Sequence, residues 1–325
     1  MTDMIDALLL LALPASGKSE VRRYLEHLPP DVCAADMRLR PTIQVDDYPY
    51  VHVMRRISEE QMALDQEPSF FASPENPFIH SGDWLTLIHL LNEDVAGLGM
   101  VTEHDPDPAA LLDRLDRARA LSGVTPIPQE GRSDLAAATA NDAAALAASL
   151  PVVDQERLDG SSLLIEFARG GPEGATLPLE PPLGYQHSLA ALHPVILDKA
   201  SILYVWATPE ESLRRNRERA LPGPEGDGSI LHHGVPEAVM RGDYGTDDMT
   251  WLEQTAPVPG TIVVDRGDMG RHRLPFARFD NRDDLTSFLR GEPEDWPSDA
   301  VERLHTGLAA AFGELGERQS LRSPP

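Results

Sequence analysis

Residues 7–19 read Ala-Leu-Leu-Leu-Leu-Ala-Leu-Pro-Ala-Ser-Gly-Lys-Ser, and the fold class follows from them. The apolar run 7–13 predicts a buried strand, because a continuous run of that length suits a strand covered on both faces. A turn of small residues follows at 14–17, and residues 20–28 have a helical pattern. This order of strand, turn and helix is typical of a nucleotide-binding phosphate loop.

The residue types of the turn suit phosphate binding. Small side chains let backbone N–H groups face phosphate oxygens, and the N-terminus of the helix adds a partial positive charge. Lys18 would reach the β- and γ-phosphates of a nucleoside triphosphate, and the Ser19 hydroxyl would coordinate Mg²⁺. The sequence therefore predicts ATP and Mg²⁺ as cofactors, with the nucleotide bound by Pro14, Ala15, Ser16, Gly17, Lys18 and Ser19.

One residue departs from the pattern G-x-x-x-x-G-K-[ST], since Ala12 stands in the place of the first glycine. The role of that glycine is to ease the bend out of the strand. Because it is not itself a phosphate ligand, its replacement by alanine removes no such ligand. Lysine itself is rare in this chain: Lys18 and Lys199 are its two lysines among 28 lysines and arginines. A lysine inside Gly-Lys-Ser is therefore unlike the rest of the composition.

Bulk composition narrows the classes of protein. At 325 residues, 41% of them apolar, the chain can hold one large domain or two ordinary ones. A formal charge of −25 argues against an extended nucleic-acid surface, which needs a basic face. The single cysteine, Cys33, excludes an internal disulfide and fits a reducing compartment. No run approaches the ~20 apolar residues of a membrane helix, so we expect a cytoplasmic protein without a membrane partner.

Apolar segments of strand length recur between helical patterns. They lie at 42–45, 162–167, 201–207 and 261–265, with 275–279 as an additional candidate. Their alternation with helices predicts a parallel sheet covered on both faces. Helical patterns at 84–98, 109–121 and 134–150 predict a helical insertion at 82–150, which we expect to hold the phosphate acceptor. We interpret 1–325 as a single domain, with a lid region at 209–250 and a frayed tail at 316–325.

Acidic residues close two of the predicted strands. Asp46 and Asp47 follow the second strand, where a carboxylate could accept the proton of an acceptor hydroxyl or could cap a turn. Glu166 closes the third strand, where a carboxylate can orient Mg²⁺ through water. Arg169 follows and could clamp an acceptor phosphate or form a buried salt bridge with Glu166.

Arginines after the fourth strand form a second cationic group. Arg215 and Arg219 are one helical turn apart and share a face, which suits a lid that closes on the transferring phosphoryl group. The alternative is an exposed charged helix. Arg55 and Arg56 could hold an anionic acceptor or face solvent. Phe70-Phe71 and Phe78-Ile79 flank the insertion and could line the acceptor pocket, and Trp84 could be a stacking platform, but burial in the core is the favoured interpretation of all of them.

The layout resembles the P-loop kinases of the nucleoside and nucleotide kinase type, including adenylate-kinase-like enzymes. The segment 163–169, Leu-Leu-Ile-Glu-Phe-Ala-Arg, is similar to a shortened D-G-F-P-R strand end of that group. The charged helix from Pro209 is similar to their lid helix, with Arg215 and Arg219 at the R-x-x-x-R positions. Val45-Asp46-Asp47-Tyr48 is similar to the carboxylate segment of uridine-kinase-like members. The resemblance covers the first 60 residues and 160–270, and leaves the insertion uncovered.

This resemblance implies an α/β fold of the P-loop NTPase type, with a parallel five-stranded sheet flanked by helices. It also implies phosphoryl transfer from ATP, with Mg²⁺, to a small-molecule acceptor. A nucleoside or sugar acceptor needs a carboxylate base and a phosphate-bearing acceptor needs arginines; the sequence offers both. The alternatives are an ATP-binding regulatory or scaffold protein with little turnover, for which Ala12 is the reason, and a kinase of a larger target.

Overall fold

Six strands form one sheet in the computed structural model of the chain, which describes residues 4–100, 102–219 and 234–322. In chain order the strands are β1 (Ala7–Leu11), β2 (Thr42–Asp46), β3 (Ser162–Phe167), β4 (Ala200–Trp206), β5 (Thr261–Asp265) and β6 (Arg271–Asp280). Their order across the sheet is β2-β3-β1-β4-β6-β5. β1 is therefore central, and it pairs with β3 on one side and β4 on the other.

The sheet is mostly parallel, and the direction of one edge strand differs from the prediction. The five strands β2, β3, β1, β4 and β6 are parallel. β5, which was predicted to be parallel, runs antiparallel to β6, with Asp265 opposite Arg271. The connection from residue 266 to 270 explains this difference. It is too short for the crossover of a dozen or more residues that parallel strands need, and Arg266 N–H donates to Gly270 O at 3.0 Å to close a hairpin.

Helices occupy the intervals between the strands except at the β5–β6 hairpin, and α14 follows β6. They are α1 (Lys18–His27), α2 (Pro30–Val32), α3 (Tyr48–Ala63), α4 (Asp83–Gly97), α5 (Pro108–Leu121), α6 (Arg132–Ala138), α7 (Ala140–Ser149), α8 (Gln155–Asp159), α9 (Gly184–Ala191), α10 (Pro194–Leu197), α11 (Pro209–Arg219), α12 (Glu237–Asp243), α13 (Met249–Thr255) and α14 (Ser298–Glu317). None of the helices in the described ranges is both long and apolar enough to cross a membrane.

Both faces of β1 are buried, as the continuous apolar run predicts. Leu9 and Leu11 belong to a core that includes residues of α9 and α13, whereas Leu8 and Leu10 belong to a core that includes residues of α1 and α14. All four leucines have no exposed surface. Successive side chains of a strand point to opposite faces, so this alternation follows from strand geometry. Burying each leucine contributes about 2 kcal/mol relative to an exposed one.

The insertion is helical, as predicted, and forms a core with α3. Leu87 and Leu90 of α4 pack in one cluster with Leu112 and Leu115 of α5. The helical pattern at 134–150 is split into α6 and α7. The division falls at Thr139, whose hydroxyl donates to Leu135 O at 2.9 Å. A threonine hydroxyl that bonds back to a backbone carbonyl bends or interrupts a helix.

The C-terminal tail was predicted to fray from residue 316, and this is wrong for its described part. α14 continues to Glu317, and a 3-10 turn follows at Arg318–Leu321. Arg322 Nη1 donates to Ala200 O at 2.7 Å, and Gln319 Nε2 donates to Ser201 Oγ at 2.8 Å. These hydrogen bonds hold the tail against the start of β4. A polar composition does not reveal such partners, because they lie far away in the sequence.

Candidate active site

The turn between β1 and α1 has a backbone shape that two of its residues define. Ala15 has φ of 56° and Gly17 has φ of 100°, so both lie in the left-handed region. Gly17 directly precedes α1, and a Cβ atom there would clash with the side chains of Asn281 and Thr286. Glycine is therefore required at position 17 both by its backbone angle and by its neighbours.

Two distant segments hold this turn in place. Asn281, which is fully buried after β6, donates through Nδ2 to Ser16 O at 2.7 Å. Ser212 of α11 donates through Oγ to Pro14 O at 2.6 Å. The hydroxyl of Ser16 is buried and has no hydrogen-bond partner among the described residues. The carbonyl groups of Pro14 and Ser16 are thus hydrogen-bonded to side chains of the protein.

The alanine at position 12 fits its place without strain. Ala12 is outside the left-handed region that Ala15 and Gly17 adopt, and its side chain is fully buried. The methyl group belongs to the same hydrophobic cluster as Leu10 and Val21. The bend that the pattern assigns to a glycine at this point is therefore made three residues later, at Ala15.

The carboxylates at the strand ends meet the lysine of the turn. Glu166 Oε1 lies 3.5 Å from Lys18 Nζ, and Glu166 Oε2 lies 3.2 Å from Arg22 Nη1. Arg22 Nη1 also lies 3.4 Å from Asp46 Oδ2. Asp46 and Glu166 are register partners at the ends of β2 and β3, which explains why the two carboxylates are close. The sequence analysis missed Arg22, although it lies one helical turn after Lys18 on the same face of α1.

The environment of Asp46 favours its protonated form. Burial and the nearby carboxylate of Glu166 raise the pKa of Asp46 to about 7, and the charge of Lys18 acts in the opposite direction. Its Oδ1 accepts a hydrogen bond of 2.8 Å from the backbone N–H of Tyr48. A carboxylate with a pKa near neutrality can take up and release a proton at physiological pH.

The structure corrects the predictions for Asp47 and Arg169. Arg169 is 1% exposed and donates through Nη1 to Asp47 Oδ2 at 2.6 Å. Its Nε donates to Ser188 Oγ at 3.1 Å, and its Nη2 donates to Trp84 O at 3.2 Å. The guanidinium is therefore held by internal partners, so it does not clamp an acceptor phosphate. The buried salt bridge exists, but with Asp47 instead of Glu166.

Arg215 is also placed differently from its prediction. It is 2% exposed and donates through Nε to Glu211 Oε1 at 2.8 Å and through Nη2 to Asn281 O at 2.6 Å. Arg215 is not among the described residues that line the cavity next to the turn. Arg215 thus supports the loop that holds the turn, and it does not face a phosphoryl group. The side chain of Arg219 and the glycine- and proline-rich part of the predicted lid, 221–228, lie outside the described residues.

A cavity of about 520 Å³ adjoins the turn and the carboxylates. Its wall includes residues of the turn, of α1, of the β2 and β3 ends, and of α3 and α12. Its lining residues include Lys18, Ser19, Arg22, Asp46, Asp47, Arg55, Phe71, Phe78, Trp84, Glu166, Asp243 and Tyr244. Phe71, Phe78 and Trp84, interpreted from the sequence as packing residues, are buried and also line this cavity. No sequence signal identified Asp243 or Tyr244, because neither follows a predicted strand.

Of the two arginines on α3, one reaches the cavity. Arg55 lines it, with Nη1 donating to Pro74 O at 2.5 Å and the guanidinium lying 4.1 Å from the centre of the Phe71 ring. Arg56 instead pairs with Glu60 at 2.6 Å.

The predicted Mg²⁺ ligands, Ser19 and Glu166, both line the cavity. Within 4–100, 102–219 and 234–322, no group of three or more His, Cys, Asp or Glu side chains is arranged to hold a metal ion. Mg²⁺ that arrives with a nucleotide takes most of its ligands from phosphate oxygens and water. A serine and one carboxylate are therefore a sufficient protein contribution.

Comparisons of the chain with protein-family models, with curated proteins and with solved structures found no match.

Proposed function

We propose that this protein is an ATP-dependent phosphotransferase with a P-loop NTPase fold of the kinase type, acting on a small-molecule acceptor. The observation that carries the proposal is the convergence of Lys18, Glu166 and Asp46 at one end of a largely parallel sheet. Ligands of such sheets bind beyond the carboxyl ends of the strands. The cavity there is lined by residues of the turn and by aromatic side chains, so it presents both a polar and an apolar surface to ligands.

The turn is the proposed site for the phosphates of the nucleotide. Its backbone follows positive φ angles at Ala15 and Gly17 and continues into the N-terminus of α1, and such a concave backbone binds anions. Lys18 Nζ, now beside Glu166, would transfer its contact to a phosphate oxygen. Ser19 and Glu166 would hold Mg²⁺, which neutralises phosphate charge during transfer when it is bound.

Asp46 is the proposed base. The acceptor hydroxyl oxygen would attack the γ-phosphorus while the bond to the β–γ bridging oxygen breaks, and ADP would leave. The hydroxyl proton would pass to the carboxylate of Asp46, whose raised pKa suits this role. Asp47 is already bound to Arg169 and would position the start of α3.

The two lysines of the chain provide a test with a matched control. In Lys18→Ala we expect ADP release to fall by about 10²-fold or more, because a cation at the transferring group is removed. Lys199→Ala removes an exposed lysine elsewhere and should leave turnover unchanged. ADP release would be followed with ATP and Mg²⁺ across nucleosides, nucleotides and sugars, and folding by circular dichroism.

Two results would contradict the proposal. One is undiminished turnover in Lys18→Ala, and the other is failure of the wild-type protein to bind a nonhydrolysable ATP analogue in calorimetry. Binding of the analogue together with silence across all acceptors would favour an ATP-binding scaffold protein instead.

A further inference from the structure

Aromatic rings form one part of the cavity wall. Phe71 stacks on Phe78 with ring centres 4.4 Å apart, and Phe78 meets Trp84 edge to face at 4.9 Å. Trp84 in turn meets Tyr244 edge to face at 5.5 Å. All four residues line the cavity and are mostly buried. Such a wall favours a ligand with an apolar or flat body.

This aromatic part of the cavity offers few cations to an anionic ligand. Arg169 and Arg215, two of the three arginines predicted to bind phosphate groups, are buried and engaged by internal partners, and the side chain of the third, Arg219, lies outside the described residues. Arg55 lines the cavity, but its guanidinium is held against Pro74 O and the Phe71 ring. Lys18 and Arg22 lie beside the turn and face carboxylates. A second phosphate group would therefore meet one arginine, Arg55, whose charge already acts on the nearby carboxylate of Asp243, and that carboxylate would repel the phosphate.

Asp243 gives this part of the cavity a hydrogen-bond acceptor. It ends α12, lines the cavity and is 8% exposed. Its Oδ2 is buried without a hydrogen-bond partner in the described part of the chain. Burial raises the pKa of Asp243 to about 6, so the group is largely ionised at neutral pH. A buried carboxylate oxygen without a donor is costly, and a donor supplied by a ligand would recover that cost.

We propose that Asp243 recognises a hydroxyl or ammonium group on the acceptor, and that this acceptor has an apolar ring and carries no phosphate. The proposal rests on the proposed function, since it names the acceptor class for that reaction. It selects between the two acceptor types that the sequence leaves open. The aromatic wall would hold the ring, Asp243 would bind the donor group, and a hydroxyl would face Asp46.

Three probes with one ring and chain test this proposal: phenethylamine, phenethyl alcohol and phenethyl phosphate. Titrations without nucleotide would follow the indole N–H signal of Trp84 by NMR, assigned through its loss in Trp84→Phe. We expect the amine to bind most tightly and the phosphate most weakly. In Asp243→Asn the amine should lose about 10-fold in affinity, because a charged hydrogen bond becomes a neutral one.

Asp247→Asn is the matched control, because it makes the same change four residues away at a carboxylate that is not among the described lining residues. The wild-type order of the probes needs no variant, so it is decisive even if Asp243→Asn does not fold. The proposal is overturned if the phosphate binds most tightly, if no probe binds, or if the order persists in a folded Asp243→Asn protein. The nucleotide plays no part in these titrations, so their outcome is independent of the Lys18 experiment.

Discussion

Asp46 and Asp47 are adjacent in the sequence and have different surroundings in the fold. Asp47 is 6% exposed and forms a 2.6 Å ion pair with Arg169, which is itself buried. Asp46 lines the cavity, and its carboxylate faces Arg22 across 3.4 Å. Loss of one partner from a buried pair leaves an unpaired charge, whereas a half-buried carboxylate is lost at little cost.

We therefore expect opposite effects from the two amide substitutions. Asp47→Asn should lower the free energy of unfolding by about 3 kcal/mol, measured by urea denaturation. Asp46→Asn removes a charge whose ionisation the fold opposes, so it should raise that free energy at neutral pH, and it should reduce turnover by about 10²-fold. Because the base must be ionised, wild-type turnover should rise with pH through the pKa of about 7. A full pH-dependent rise in Asp46→Asn would show that another group is the base.

At the scale of one element, the turn from residue 12 to 17 places its two alanines in different environments. Ala15 is in the left-handed region, which costs a residue with a side chain about 1–2 kcal/mol. Ala12 avoids that region and fills space in the core. The glycine that the nucleotide-binding pattern favours at position 12 is therefore disfavoured there by packing.

Ala15→Gly and Ala12→Gly form a matched pair that tests this difference. Ala12→Gly should lower the unfolding free energy by about 1 kcal/mol, because it removes a buried methyl group and adds chain entropy to the unfolded state. Ala15→Gly relieves the left-handed strain, which offsets the entropy term, so its unfolding free energy should equal or exceed that of the wild type. Equal losses in both variants, measured in the same denaturation series, would argue against this assignment.

At the scale of the whole molecule, several carboxyl groups hold protons more tightly in the folded state than their ordinary pKa allows. Burial raises the pKa of Asp83 and Asp243 to about 6 and the pKa of Asp247 to about 7, and Asp46 behaves alike. In the unfolded chain these groups titrate near 3.8. Between these values the folded state binds more protons than the unfolded state, so stability falls as the pH rises.

We expect the urea midpoint to be higher at about pH 5 than at about pH 8, with a loss of about 2 kcal/mol or more between them. Asp247→Asn should reduce this pH dependence, since one of the contributing protons is removed. General repulsion in a chain of formal charge −25 acts in the same direction. Repeating the series at high salt screens that repulsion and isolates the buried groups. A midpoint that increases from acid to neutral pH would contradict the assignment.

The central part of this architecture follows from local sequence, and the rest depends on distant partners. The apolar run at β1, the helix after Gly17 and the carboxylates at the β2 and β3 ends are all where periodicity and motif predicted them. The direction of β5 was wrong, because an apolar segment of five residues has no signal for direction. Arg169 was assigned to ligand binding from its place after β3, and Arg215 from its helical spacing, and neither signal shows what covers the side chain.

The position of β1 between β3 and β4 has a consequence for biosynthesis. The strand that leads into the candidate nucleotide site is synthesised before its neighbours, which begin at Ser162 and Ala200. β2 likewise pairs with β3. During synthesis the strands β1 and β2 therefore remain unpaired until β3, which begins at Ser162, has been made. Sheets closed by such long-range contacts form slowly and expose sticky surface meanwhile. We therefore expect chaperones to protect these strands from aggregation before β3 is synthesised.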